Sequence, residues 1–312
     1  MAKLKKAIVT GPTGSVGISL INELIQNGVY VTAICRRQST GLEDLPKSDL
    51  VSVIECNIDE YSGLTGIIEN DYDAFFHLAW DGTYGTSRMD FTRQTRNVIY
   101  ALDAVDLANV AGCKVFVGAG SQSEFGNVNG ILHPYMQCSP TTGYGVGKLT
   151  AGQMTRLKCQ EYGIRHEWVR IVSMFGPHDR DFTLIVGSIY KMLRGERVQF
   201  TKGEQIWDYI YNKDAARALR LVAEKGKNAA IYCCGTGQTR RLKEFILSVR
   251  DAVDPSLKIG IGELPYYPNQ VMHLEADISN LVEDTGFIPE YSFEEGISET
   301  VEWVKRRIAL EK

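Results

Sequence analysis

The sequence has no long apolar segment. None of its apolar runs approaches the roughly 20 residues that a helix needs to span a bilayer. Three lysines precede a short apolar stretch at residues 7–10, which is too short for a signal peptide and runs directly into a glycine motif. With 44% hydrophobic and 23% charged residues, the 312-residue chain has ordinary globular composition. We therefore expect a globular protein that has no membrane partner.

Blocks of like charge, internal repeats and low-complexity linkers are also missing from the sequence. The formal net charge is -4 and the isoelectric point is about 5.8. Because nucleic-acid binding needs clustered basic residues, this pattern predicts no nucleic-acid partner. A chain of this length buries a substantial core without help from disulfides or metals.

Cysteines are irregularly spaced. The sequence has 7 of them, an odd number, and no C-x-x-C pair occurs. Disulfide frameworks and zinc sites both need paired cysteines at regular spacing. We therefore expect no metal site, and a protein of the reduced cytoplasm.

The first half of the sequence alternates short β-branched strands with helical patterns. Predicted strands cover residues 6–10, 30–35, 50–56, 74–79, 114–119 and 166–172, and predicted helices cover residues 17–27, 93–109 and 147–162. Alternation of this kind implies a parallel sheet with helices on both faces. The predicted fold class is α/β, a Rossmann-type doubly wound parallel sheet, which binds ligands at the carboxyl ends of its strands.

A glycine motif follows the first predicted strand and opens the first predicted helix, in the pattern G-x-x-G-x-x-G. In this context the glycines allow a tight turn, a close backbone approach to a pyrophosphate and close packing of helix on strand. Free N–H groups at the start of the helix then bind the anion. The sequence predicts a dinucleotide site whose loop contacts are Gly11, Thr13, Gly14, Ser15, Val16 and Gly17.

The end of the second predicted strand indicates which dinucleotide is bound. NAD-selective sites have Asp or Glu there, which binds the ribose 2′-hydroxyl. This chain has Cys35 followed by Arg36, and a guanidinium suits the additional 2′-phosphate of NADP. The alternative is that Arg36 and Arg37 are solvated turn residues. We expect NADP(H) as the preferred cofactor, with NAD(H) possible.

Further cofactor contacts are expected where the third and fourth predicted strands end, since that edge of the sheet carries the ligand. The residues there are Asn57, Ile58, Leu78 and Ala79, which we expect to touch the adenine and ribose.

After residues 176–177 the alternation breaks, and loops rich in polar and aromatic residues follow. We assign residues 1–175 to a dinucleotide-binding Rossmann domain and residues 176–312 mainly to a smaller, discontinuous α/β lobe that binds the substrate. The apolar run at residues 229–234 is expected to return to the main sheet, so residues 205–235 belong with the first domain.

Tyr144 and Lys148 stand four residues apart near the start of a predicted helix and therefore share one face. A free tyrosine has a pKa of about 10, too high for efficient acid–base catalysis at neutral pH. A nearby ammonium lowers that pKa, so that the pair can exchange a proton with a carbinol or carbonyl oxygen. We predict Tyr144 and Lys148 as catalytic residues that also contact the nicotinamide ribose.

A hydroxyl at the end of the preceding strand completes the predicted catalytic group. Ser121 is placed to hydrogen-bond the reacting oxygen and to orient it beside Tyr144. Ser123 is the competing candidate, and the serine that is not used then caps the turn.

These motifs resemble the extended short-chain dehydrogenase/reductase superfamily, in particular the NAD-dependent epimerase/dehydratase family. The likeness extends to His77-Leu78-Ala79, to Arg170 followed by Phe175-Gly176-Pro177, and to the tail segments at residues 276–279, 285–289 and 293–297. It implies a nucleotide-linked sugar as substrate. It also implies a homodimer that pairs the helices predicted at residues 93–109 and 147–162.

The resemblance also narrows the reaction. Ser123 stands where the 4,6-dehydratases have their catalytic Glu and where the GDP-fucose synthase type has its epimerising Cys, so we expect neither reaction. The expected activity is NADPH-dependent reduction of a nucleotide-linked 4-keto-6-deoxy sugar, with hydride delivered to C4, Tyr144 as the acid and Ser121 holding the oxygen. The alternative is a nucleotide-sugar 4-epimerase with bound NAD. A non-catalytic dinucleotide-sensing protein is the third hypothesis.

Substrate contacts are expected from several positions. Trp207 stands where the family has an Arg that binds the substrate diphosphate. The candidates to replace that charge are Lys191, Arg194, Lys202 and Arg217, of which Lys191 and Arg194 are expected to face the cleft. The full set of substrate candidates is Trp80, Ser121, Gln122, Ser123, Lys191, Arg194 and Trp207.

Overall fold

The structure, a computed structural model, describes residues 3–268 and 270–311. Its strands are β1 Lys6–Thr10, β2 Tyr30–Cys35, β3 Val51–Glu55, β4 Ala74–His77, β5 Val115–Ser121, β6 Gly130–Leu132, β7 Arg165–Ile171, β8 Ser173–Phe175, β9 Gln199–Phe200, β10 Ile206–Trp207, β11 Tyr209–Tyr211, β12 Ala230–Cys234, β13 Arg240–Arg241, β14 Gly260–Ile261 and β15 His273–Ala276. Its α-helices are α1 Ser15–Gln26, α2 Phe91–Val110, α3 Gly143–Tyr162, α4 Leu184–Leu193, α5 Asn212–Lys225, α6 Leu242–Val253, α7 Ser279–Thr285 and α8 Phe293–Leu310.

A seven-stranded sheet forms the centre, with the order β12-β7-β5-β4-β1-β2-β3, and every neighbouring pair in it is parallel. After β3 the chain crosses back to add β4 on the other side of β1. The crevice for a ligand therefore opens at the carboxyl ends of β1 and β4. The predicted Rossmann-type doubly wound sheet is confirmed.

Both faces of the sheet are covered by helices because successive strand residues point to opposite faces. Val9 and Phe76 pack into the core on the side of α1 and α5. Their neighbours Ile8 and Phe75 pack into the core on the side of α2 and α3. Strands that are buried on both faces have continuous apolar runs in their sequences, and such runs predict a parallel sheet covered by helices.

The helices that carry the site begin earlier than predicted. The helix predicted from residue 147 begins at Gly143, because the Thr142 side chain accepts a hydrogen bond from the Gly145 N–H at 3.0 Å. The helix predicted from residue 93 begins at Phe91, where Asp90 caps it. Glycines disfavour a helix, so the glycine-rich first turn of α3 concealed its start.

The remaining strands form smaller sheets, of which the largest has the order β13-β10-β15-β6. Helices α4, α6 and α8 enclose a separate apolar core that includes Ile189, Phe245 and Val301. The predicted return of residues 229–234 is confirmed, since β12 pairs with β7 along five residues from Ala230 to Cys234. The division into two functional domains stays a prediction.

No helix in the described part of the chain has the length and apolarity to cross a bilayer.

Candidate active site

A cavity of about 870 Å³ lies at the carboxyl ends of the central strands. It brings together most of the residues predicted from the sequence. Those that line it are Gly11, Thr13, Gly14, Ser15, Val16, Gly17, Arg36, Asn57, Ile58, Leu78, Ala79, Trp80, Ser121, Gln122, Ser123, Tyr144 and Lys148.

The glycine loop between β1 and α1 is shaped as a cradle. Gly11 has a φ of +67°, and a Cβ there would lie 2.8 Å from the backbone N of Ala79. A Cβ on Gly17 would lie 2.3 Å from the carbonyl oxygen of Gly11. Gly14 caps α1 without any side-chain hydrogen bond, so the N–H groups of the first turn are left for an anion. These residues fit the pyrophosphate of a dinucleotide.

Two hydroxyls of this loop are tied to neighbouring segments. The Thr13 hydroxyl hydrogen-bonds the Ser39 hydroxyl at 3.2 Å. The Ser15 hydroxyl donates to the carbonyl oxygen of Pro177 at 2.8 Å and accepts from the Asn212 amide at 2.9 Å. The hydrogen bonds of these two hydroxyls hold the glycine loop against its neighbouring segments.

The end of β2 presents a guanidinium to the cavity. Cys35 is buried, whereas Arg36 is exposed and lines the cavity. Arg36 forms no ion pair with any residue that the structure describes, while Arg37 pairs with Glu60. An unpaired guanidinium at this place fits a 2′-phosphate.

Tyr144 lies in the first turn of α3, which packs closely against the end of β5. A Cβ on Gly145 would lie 2.3 Å from the carbonyl oxygen of Ser123, so only glycine permits this approach. Burial raises the pKa of Tyr144, and a hydrogen bond with Ser121 and the charge of Arg88 oppose that rise. Ser121 and Ser123 both line the cavity with Tyr144, and the choice of Ser121 as the catalytic hydroxyl stays a prediction.

Lys148 is almost fully buried beneath Tyr144. Its ammonium donates to the carbonyl oxygen of Ala119 at 2.7 Å and lies 3.9 Å from the centre of the Trp80 ring. Burial lowers the pKa of Lys148 to about 7, against the opposing effect of the Glu124 carboxylate. The expectation that this lysine lowers the pKa of Tyr144 stays a prediction, and the charge of Arg88 acts in that same direction.

A buried carboxylate sets the position of Ser121. Glu124 is fully buried and accepts hydrogen bonds from the Ser121 N–H at 2.7 Å, from Arg170 Nε at 2.7 Å and from Trp168 Nε1 at 3.0 Å. The Ser121 hydroxyl in turn accepts from the Ser123 N–H at 3.2 Å. The turn that follows β5 is thus held in one conformation by a satisfied polar network.

Three predicted substrate residues do not reach the cavity. Lys191 is exposed on α4, because the opposite face of that helix is apolar and fills the core of the smaller lobe. Arg194 ends α4 and pairs with Glu311 at 2.8 Å. The prediction that these two face the cleft is wrong. Trp207 packs between two apolar cores and donates to the Ser173 hydroxyl at 2.7 Å.

Sequence reasoning missed several side chains that line the cavity. They include Arg88 from the loop after β4, Asp179 and Arg180 from the loop after β8, and Tyr209 at the start of β11. Burial raises the pKa of Asp179 to about 6. The available signal was their position after strands whose carboxyl ends form the crevice. Among the residues that the structure describes, no cluster of three or more His, Cys, Asp and Glu side chains is arranged to hold a metal ion.

A parallel sheet, a dinucleotide cradle after β1 and a Tyr–Lys pair at the start of α3 define an NAD(P)-dependent oxidoreductase of the extended short-chain dehydrogenase type. Comparison with known sequences agrees. The chain belongs to the NAD dependent epimerase/dehydratase family, which matches residues 7–235.

Individual relatives differ in how much of the chain they match. CDP-abequose synthase of Salmonella muenchen is 25% identical over 306 residues, which cover 94% of this chain and 96% of that protein. The dTDP-glucose 4,6-dehydratase of Shigella flexneri is 27% identical over 172 residues, only 53% of this chain and 48% of that enzyme. The match to the synthase is therefore end to end, whereas the match to the dehydratase spans about half of each protein.

Solved structures share the fold across the whole chain. The UDP-N-acetylglucosamine 4-epimerase from Methanobrevibacter ruminantium M1, in complex with UDP-N-acetylmuramic acid, has a TM-score of 0.88 at 25% identity and covers 98% of this chain and 100% of its own. The UDP-glucose 4-epimerase from Thermotoga maritima has a TM-score of 0.85 at 24% identity and covers 97% of this chain and 99% of its own.

Proposed function

We propose that this protein reduces a nucleotide-linked 4-keto-6-deoxy sugar with NADPH. The observation that carries the proposal is the environment of Ser123. Its hydroxyl accepts a hydrogen bond from the Arg88 guanidinium at 2.6 Å, at the position where the dehydratase motif has its catalytic acid. The next residue, Glu124, is fully buried and engaged by Arg170 and Trp168, so it cannot serve as that acid.

The residues that remain at the centre suit the reduction of a carbonyl. The bound cofactor would supply a hydride. Tyr144 is placed to give its proton to the oxygen of the sugar, and the Ser121 hydroxyl is placed to orient that oxygen. Lys148 sits one helical turn below, where it is placed to hold the nicotinamide ribose.

Arg36 supports NADP as the cofactor. Its guanidinium lines the cavity beside a buried Cys35, and no acidic side chain occupies the end of β2. A phosphate pairs with a guanidinium through charge-assisted hydrogen bonds, which a 2′-hydroxyl does not reproduce.

The relatives suggest which nucleotide to test first. The end-to-end match to CDP-abequose synthase favours a CDP-linked sugar. A 4-epimerase is the second candidate, because the 25%-identical UDP-N-acetylglucosamine 4-epimerase superposes on this chain with a TM-score of 0.88.

The test is NADPH oxidation with a panel of GDP-, CDP-, dTDP- and UDP-linked 4-keto-6-deoxy sugars, with NADH measured alongside. Turnover with one donor, faster with NADPH than with NADH, is the expected result. If no donor is reduced, while a non-keto nucleotide sugar is isomerised by protein that retains NAD through purification, the protein is an epimerase and the reductase proposal fails.

We also propose that two copies associate through α2 and α3. The outer faces of these helices expose Ile99 (52%), Met154 (43%) and Leu157 (51%). A dimer that pairs both helices with their symmetry mates would bury this surface.

A further inference from the structure

A second cation, besides Lys148, faces the reacting tyrosine. Arg88 lies in the 3-10 turn Gly85–Met89, just before α2. Its guanidinium carbon lies 4.6 Å from the centre of the Tyr144 ring. Its Nη2 donates to the Ser123 hydroxyl at 2.6 Å, and its Nη1 donates to the Thr83 carbonyl oxygen at 3.4 Å. The guanidinium plane is thus held from two sides over the ring.

The two cations differ in how permanent their charge is. Arginine keeps its proton at every pH at which proteins are folded. Burial brings the pKa of Lys148 to about 7, so this lysine loses much of its charge at neutral pH. The partly buried Arg88 side chain lies against the Tyr144 ring, and a guanidinium is the more dependable source of positive charge at that place.

The other groups that face the Tyr144 phenol come from several elements. Glu124, after β5, raises its pKa by charge, and Ser121 lowers it by hydrogen bonding. Tyr84, in the loop after β4, interacts electrostatically with the same phenol. Lys148 lies one helical turn after Tyr144 on α3. Among these groups Arg88 is the cation whose charge lowers the pKa of Tyr144.

We propose that Arg88 is a positioning residue for Tyr144: its guanidinium, 4.6 Å from the ring centre and anchored on the Ser123 hydroxyl, holds the ring from above and places a fixed positive charge beside the phenol. Its use in catalysis rests on the proposed reductase function, but its effect on Tyr144 does not. A stronger acid transfers its proton more readily at neutral pH, because the best general acids have a pKa near the working pH. Ser123 serves the same end by anchoring the guanidinium.

The first test measures the ionisation of Tyr144 in the full chain without any substrate. Protein with isotope-labelled tyrosine is titrated by NMR, and the Tyr144→Phe variant identifies the Tyr144 signal. Loss of a positive charge at this distance should raise the midpoint by about one pH unit in Arg88→Met and in Arg88→Gln. Arg88→Lys, which keeps a cation, should recover at least part of that change.

Arg241→Met is the matched control, since Arg241 is exposed on β13 and lies outside both the cavity and the proposed dimer face. Its Tyr144 midpoint should equal that of the unmodified protein. The proposal is overturned if the Arg88 variants fold normally, as judged by circular dichroism, and titrate Tyr144 at the unmodified midpoint. A control variant that moves the midpoint as much as Arg88→Met does would overturn it equally.

The second test uses the reductase assay once a donor has been found. The alkaline limb of kcat against pH reports loss of the Tyr144 proton, so it should move to higher pH in Arg88→Met while kcat at neutral pH falls. A fall in kcat without movement of the limb would show a merely structural role. If no donor is found, the proposed function fails, and the NMR titration still decides the role of Arg88.

Discussion

The ammonium of Lys148 lies 3.9 Å above the centre of the Trp80 ring, and the same ring meets Tyr144 edge to face with centroids 6.1 Å apart. Trp80 is held in turn by a hydrogen bond from its Nε1 to Gln94 at 2.8 Å. The indole therefore forms a wall beside Tyr144 and Lys148 and shields the lysine from water. The face of the ring attracts the ammonium, but burial prevails and lowers the pKa of Lys148 to about 7.

This arrangement predicts a pH-dependent stability. The pKa of Lys148 is about 7 in the folded protein and 10.5 in its ordinary state. Between these values the unfolded chain binds more protons, so the free energy of unfolding should rise with pH across this window. The free energy of unfolding in urea should be measured for the cofactor-free protein and for Lys148→Met. The difference between the two should show that rise, because the titrations of all other groups cancel in it. A difference that stays flat from about pH 7 to about pH 10 would contradict the lowered pKa.

Tyr144→Phe should leave the fold intact and should lower kcat by about 10²–10⁴, the usual contribution of a general acid. Tyr162→Phe is the matched control, because Tyr162 ends the same helix at the surface, where its hydroxyl donates to Asp106 at 2.7 Å. Its kcat should be unchanged. A kcat that is unchanged in Tyr144→Phe would refute Tyr144 as the acid.

Arg36→Ser should weaken NADPH binding by about 10- to 100-fold, because charge-assisted hydrogen bonds contribute about 1.5–3 kcal/mol. Binding of NADH should change little, so the ratio of the two dissociation constants falls. Arg37→Ser serves as the control, since Arg37 pairs with Glu60 and does not line the cavity. Fluorescence titration with both cofactors measures the ratio, and equal losses for both would refute a 2′-phosphate contact.

Glu124→Ala should destabilise the protein by about 3–5 kcal/mol, because it leaves the buried Arg170 guanidinium without its partner. The Arg170–Glu124 contact is 2.7 Å long and both side chains are almost fully buried. Glu302→Ala breaks an exposed pair with Lys305 on α8, and its stability should equal that of the unmodified protein. Urea unfolding measures both, and similar stabilities for the two variants would show that the buried pair is not a structural anchor.

Leu157→Lys should convert a dimer into a monomer, because it places a charge in the apolar face of α2 and α3. Sedimentation velocity of the unmodified protein and the variant measures this change. Leu310→Lys is the control, since Leu310 is 81% exposed at the end of α8 and lies outside the proposed interface. An unmodified protein that sediments as a monomer would refute the proposed association.

The sequence alone was sufficient for those parts of the site that depend on local spacing. Gly11, Gly14 and Gly17 follow one strand and open one helix, so their geometry is set within a single βα unit. Tyr144 and Lys148 share a face because they are one helical turn apart. The parallel sheet was equally readable, since its buried strands are short apolar runs between amphipathic helices.

Only the tertiary structure decided what surrounds those residues. Arg88 reaches Tyr144 through a turn whose path is not encoded in any spacing, and Trp80 closes over Lys148 because Gln94 holds its indole from another helix. Lys191 points to solvent because the apolar side of α4 is drawn into the core with α6 and α8. The burial of a site residue and the charges around it depend on groups that are far apart in the chain. They are therefore determined only when the helices and strands pack together.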